Sequence, residues 1–126
     1  MPRLASLSAI FLALAVACGA FGAHALRQHV SETDLAIWEK AVLYHLVHAL
    51  AALVLSLTLA PERFGPSARR IVTLLLLSVC IFSGSLYLLV LLNARWLGMV
   101  TPLGGSGFMI GWIWLAIALN RIQKSE

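Results

Sequence analysis

Charge is scarce in this chain. Charged residues make up 11% of its 126 positions, and aspartate and glutamate together number five. None of these five (Glu32, Asp34, Glu39, Glu62 and Glu126) lies inside an apolar run. Paired-carboxylate chemistry within those runs is therefore excluded. Cysteine is also sparse. Cys18 and Cys80 are the two present, each inside an apolar run. A disulfide framework needs paired thiols in an oxidising aqueous setting, so these two read as small packing residues. The chain has no H-E-x-x-H, no G-x-S-x-G and no phosphate-binding loop. It shows no long-period repeat and no low-complexity tract. The net charge of +4 comes from scattered basic residues, with Arg69-Arg70 the adjacent pair. That pattern fits membrane topology signals rather than a nucleic-acid face.

What the chain has in abundance is apolar sequence. Its 61% hydrophobic content exceeds the roughly 45–50% of soluble domains. A helix crosses the hydrocarbon core with about 20 apolar residues, and four segments qualify. They run over about residues 4–23, 41–59, 71–92 and 104–120, which predicts an all-α integral membrane four-helix bundle in a single domain. The first could be mistaken for a signal peptide, with Arg3 ahead of an apolar run and Ala23-His24-Ala25 as a small-x-small site. The run continues through Phe21, long enough to span, so an uncleaved helix is expected. Ala15, Gly19 and Ala23 give that helix a small-residue stripe. Ser31 and Asp34 fit a helix cap, with a helix starting near Glu32 and Trp38 as an interfacial anchor.

Pro61, Gly65 and Pro66 break the chain between the second and third spans. The stretch Asn93–Gly107 carries Thr101-Pro102 and the glycines Gly104, Gly105 and Gly107. The last span begins near Phe108, or at Leu103 if the glycines are helical. The shorter choice leaves a glycine-rich loop able to re-enter the membrane, where protein or water must satisfy its backbone. Gly107 and Gly111 form a weak GxxxG.

Counting lysine and arginine sets an orientation. Arg3, Arg63, Arg69, Arg70, Arg121 and Lys124 fall on one side; Arg27, Lys40 and Arg95 fall on the other. The positive-inside rule then puts both termini in the cytoplasm. With that topology His24, Tyr44, His45, His48, Ser83, Ser85, Tyr87 and Thr101 all lie in the outer half of the bundle. On the second helix Ala41, His45, His48 and Ala52 share one face. Ionisable groups at membrane depth turn toward protein or water.

The bland reading of this cluster is a set of hydrogen bonds tying helices together. The sharper one is a site for a small solute, ion or metal, with His24 and His48 as the weak metal candidates. No carboxylate or thiolate is placed to complete a tetrahedral set, and no cofactor is implied. No nucleophile or metal triad supports an enzyme. The function expected is a structural, accessory or oligomer-forming membrane component. The alternative is a small-solute, ion or metal binder or transporter. The partners expected are the lipid bilayer and a second copy or a larger membrane complex.

Five motifs occur in order along nearly the whole chain. They are GAFGAHAL (Gly19–Leu26), Tyr44-His45 with His48-Ala49-Leu50, FSGSLY (Phe82–Tyr87), TPLGG (Thr101–Gly105) and Gly111-Trp112. Together they resemble a family of small bacterial inner-membrane proteins, domain of unknown function 423 (uncharacterised protein family 0382). The resemblance implies a four-helix, multi-pass protein of the bacterial inner (plasma) membrane. It supplies no catalytic residue. Tyr44-His45 stands where the family often has Tyr-Gln, which favours His24 and His48 over His45 as functional residues.

Overall fold

The computed structural model describes residues 1–124, and within them every regular element is a helix. Helix α1 spans Pro2–His24 and runs into a short 3-10 turn at Leu26–Gln28. Helix α2 spans Glu32–Thr58 and starts where the cap motif places it, with Ser31 Oγ accepting from Asp34 N at 3.1 Å. It stops at Leu59, whose backbone is extended, because the chain is approaching Pro61. A single turn, α3 (Pro61–Phe64), ends at Gly65, whose φ of +55° side chains rarely adopt. Helix α4, Pro66–Leu92, ends on Asn93 in the left-handed conformation. A 3-10 turn at Arg95–Met99 leads into α5, Thr101–Gln123.

The four long helices are apolar and long enough to cross a membrane. They pack in chain order: α1 on α2, α2 on α4, and α4 on α5. Helix α4 is central, and its two sides meet different partners. Ile71, Leu75 and Val79 join a core with Phe108 and Leu115 of α5. Val72 and Leu76 pack instead with Ala52 of α2 and the partly buried Leu4 and Phe11 of α1. Toward the end of the bundle away from α3, Leu86, Leu89 and Val90 close around Trp38 and Ala41. The short connections make neighbours antiparallel. The ends carrying Arg3, α3, Arg69 and Arg121 therefore gather together.

The structure corrects three expectations about local form. The glycine-rich stretch is not a loop: Gly104, Gly105 and Gly107 lie inside α5, which begins at Thr101, as in the longer of the two spans expected. Pro102 sits in its first turn, where a missing N–H costs nothing. The glycines serve contact rather than turning. A Cβ at Gly104 would come 2.7 Å from Phe82 Cα, and one at Gly111 would come 2.9 Å from Leu75 Cδ2. At Gly107 an added Cβ would strike Ser78 Oγ, so both halves of the GxxxG face α4. Secondly, the packed stripe of α1 is Ser8, Ala15 and Gly22, at steps of seven. Of the stripe expected from small residues, Ala15 is buried, Gly19 approaches Val42, and Ala23 is exposed. Thirdly, Trp38 is not an interfacial anchor. It is 3% exposed, fills the space above Gly22, and donates from Nε1 to the Cys18 carbonyl at 2.8 Å.

Candidate functional site

Helix α2 carries its histidines on one buried face. Ala41, His45, His48, Ala49 and Ala52 are all buried there. From α4, the turn Phe82–Ser85 faces this stripe. Ser83 Oγ donates to the Ala41 carbonyl at 2.7 Å, joining α4 to α2. Ser85 Oγ and Thr101 Oγ1 share a 2.6 Å hydrogen bond, joining α4 to α5, and Ser85 also bonds the Phe82 carbonyl. His45 Nδ1 and the Tyr87 hydroxyl lie 3.1 Å apart, a second link from α2 to α4. With Trp38 bonded to Cys18, α1 is tied in as well. Each adjacent pair of long helices thus has at least one polar tie in the half of the bundle away from α3.

The two histidines differ in setting. His48 Nδ1 bonds the Tyr44 carbonyl one turn back at 2.9 Å, so that bond stays within α2. Its ring lies flat against Phe108 of α5, with centroids 3.6 Å apart and planes 18° apart. His45 instead points toward α1, where the Phe11 ring meets it edge-on at 5.8 Å. His45 Nε2 is buried and has no hydrogen-bond partner; the nearby Phe11 backbone does not reach bonding geometry. His45 therefore meets a neighbouring helix through a side-chain hydrogen bond, and His48 meets one through ring stacking. His24 ends α1 and is exposed. Among the described residues, no group of three His, Cys, Asp or Glu is arranged to hold a metal.

Tyr44 also falls outside the polar seam. It is 37% exposed and stacks on Phe82 at 4.5 Å. Tyr44, His48, Phe82, Phe108 and Trp112 form one aromatic wall. This wall bridges α2 and α5, whose Cα atoms nowhere come within 8 Å of each other among the described residues. Because the backbones stay apart, a lipid-facing furrow opens between the helices. One part of it has a volume of about 480 Å³ and is walled by Tyr44, His48, Gly105, Phe108 and Trp112. A second depression of about 390 Å³ continues past Trp112 along Val47, Leu50 and Val54. Tyr44 with His48, and Phe108 with Trp112, are each spaced by four, which puts both pairs on single helix faces. That spacing is the signal that marks the wall. Sequence reasoning did not use it.

Above the apolar part of α2, Arg95 grips Asp34 with two hydrogen bonds of 2.6 and 2.8 Å. Those bonds, and the guanidinium charge behind them, hold the Asp34 carboxyl below its usual range. Asp34 is the enclosed partner at 14% side-chain exposure, against 54% for Arg95. The pair fastens the start of α2 to the turn before α5. Sequence reasoning had no signal for it at a separation of 61 positions.

The architecture can be placed among known proteins. The family described as protein of unknown function (DUF423) matches residues 18–105. The chain belongs to this family. Relatives of the DUF423 chain cover it almost end to end. The UPF0382 membrane protein YwdK of Bacillus subtilis is 41% identical over 113 residues, 89% of this chain and 91% of the relative. The UPF0382 membrane protein SAB0533 of Staphylococcus aureus is 41% identical over 112 residues, 89% of this chain and 90% of the relative. The UPF0382 membrane protein SSP2132 of Staphylococcus saprophyticus is 37% identical over 116 residues, covering 92% and 95%. No solved structure matches the chain. The family match spans the polar seam from Cys18 through Thr101, so the DUF423 region contains the residues that tie the four helices together. It is a multi-pass membrane protein.

Proposed function

We propose that this protein is a structural or accessory component of the membrane that works by self-association through the furrow between α2 and α5. The observation that carries this reading is that furrow. The backbones of α2 and α5 stay apart, and Trp112 joins two apolar depressions along their length. Close packing is the main source of helix association in lipid, and an open furrow flanked by Gly105, Ser106 and Ala51 offers small residues for it. The polar groups that a ligand site would need are instead engaged in interhelical bonds: Ser83, Ser85, Thr101 and Tyr87 all have protein partners. The test is cysteine cross-linking in native membranes with Cys18 and Cys80 removed. Cysteines at Val47 and Met109, on opposite sides of the furrow, should capture a dimer. Cysteines at Val16 on the outer face of α1 should not. A monomer at every position would sink the proposal.

A second reading has one observation in its favour, the unsatisfied His45 Nε2. A bound solute or ion that reached this nitrogen would make the seam a site. Metal analysis and an absorption spectrum on gently purified protein test it, with His24, His45 and His48 replaced in turn by alanine. A stoichiometric metal or chromophore lost only in a folded His45 variant would favour that reading over the structural one. For location we propose the bacterial inner membrane, with both termini in the cytoplasm. The bacterial sources of the relatives, which are named membrane proteins, support a bacterial plasma membrane. The gathering of basic residues at the end that carries both termini supports cytoplasmic termini.

A further inference from the structure

At the end of the bundle that holds α3, two helix starts lack the usual acidic complement. Helices α1 and α4 both begin there, so both present the positive end of a helix dipole. Acidic residues are the usual complement at such a position. Neither helix has one in its first turn, and neither has a side-chain cap. Instead α1 carries Arg3 and α4 carries Arg69 and Arg70. Among the described residues, neither Arg3 nor Arg69 is paired with a carboxylate. Glu62, the acid nearest in the chain, sits in the first turn of the separate α3.

Between these two helix starts lies an apolar groove of about 350 Å³. Leu4 and Leu7 form its wall, and Arg3 and Arg69 stand at its edge. Leu7 is 40% exposed, so the wall is open to the surrounding lipid. An acyl chain fits the wall by its chemistry, and a phosphate fits the edge by its charge. Two guanidinium groups line the one groove, and the helices that carry them both start at this end of the bundle. We infer that this groove is a binding site for an anionic phospholipid, with the phosphate between Arg3 and Arg69 and a chain along Leu4 and Leu7. The site lies apart from the furrow between α2 and α5 and does not depend on self-association.

The ligand is a lipid rather than a free anion because the apolar wall adds area that inorganic phosphate cannot cover. Each arginine near an anionic headgroup is worth roughly a fivefold change in affinity. The test is native mass spectrometry of the full chain released from nanodiscs of phosphatidylcholine containing a graded fraction of phosphatidylglycerol. The wild type should retain phosphatidylglycerol in preference to phosphatidylcholine. Arg3→Gln/Arg69→Gln should lose about one retained anionic lipid per chain. Arg27→Gln/Lys40→Gln, at the opposite end, should lose none. Arg3→Lys/Arg69→Lys should retain more than the glutamine pair, and circular dichroism should confirm that each variant is helical. Equal retention of the two lipids by the wild type overturns the inference without any variant. So does undiminished retention in a folded Arg3→Gln/Arg69→Gln protein, or displacement of the lipid by millimolar inorganic phosphate.

Discussion

Ser83 and Ser106 are the same residue type in opposite settings. Ser83 is 1% exposed, and its hydroxyl reaches the Ala41 carbonyl on the neighbouring helix. Ser106 is exposed and bonds Pro102 in its own helix. Hydrogen bonds between membrane helices average about 0.6 kcal/mol and reach about 1.7 kcal/mol. Ser83→Ala should therefore destabilise the protein by about that amount, while Ser106→Ala should stay within about 0.5 kcal/mol of wild type. Unfolding in mixed micelles would measure both; equal effects would show that the Ser83 bond contributes nothing specific. Asp34 makes a residue-level prediction of a different kind. Its carboxyl is held low in the folded protein by Arg95. A depressed carboxylate stabilises the fold fully above its unfolded pKa, near ~4, and loses that contribution as pH falls through the folded value. The stability difference between wild type and Asp34→Asn should be flat from neutral pH to about pH 5 and shrink below pH ~4. A difference that instead grew on acidification would show that Asp34 is not the anionic partner of Arg95.

Helix α5 shows how tertiary contact overrides a local signal. Three glycines and a proline near its start read as a loop, because glycine disfavours a helix interior by about 1 kcal/mol relative to alanine. In the folded protein that cost is offset by the approach of α5 to α4, which a side chain at Gly104 would block. The preference was legible in the sequence; the approach was not, because it depends on where Phe82 lies on another helix. Gly104 and Gly105 separate the two effects. A Cβ at Gly105 would sit 3.7 Å from the Phe82 ring, an ordinary contact, whereas one at Gly104 would collide with Phe82 backbone. Gly105→Ala should be neutral or mildly stabilising, since it removes only the helix cost. Gly104→Ala should destabilise by about 1–3 kcal/mol or more, because backbone cannot move aside as a flexible side chain can. Thermal unfolding of the two variants in one detergent decides this, and similar shifts in both would refute the close crossing.

At the scale of the whole molecule, the number and order of spanning helices were legible because hydrophobic length is a one-dimensional property. The shared face of Ala41, His45, His48 and Ala52 was legible too, since it follows from helical period alone. Rotation about each helix axis was not. That is why Trp38 read as an anchor and is core, why exposed His24 stood beside His48 as a metal candidate, and why Arg95 and Asp34 could not be matched. Orientation belongs to the same scale, because it depends on charge summed over loops. Helices α1 and α4 start, and α5 finishes, at the end that carries Arg3, Arg63, Arg69, Arg70, Arg121 and Lys124; Arg27, Lys40 and Arg95 lie at the other. Reporters fused after Gln123 or inserted between Glu62 and Pro66 should report cytoplasm, and one between Gln28 and Ser31 should report the outside. The difference of three basic residues is modest. Replacing Arg63, Arg69 and Arg70 with glutamine would equalise the two sides and should yield mixed signals from a single fusion. A periplasmic signal from the unaltered C-terminal fusion would invert the topology. It would move the histidine seam to the inner half and put the Arg3–Arg69 groove in the outer leaflet.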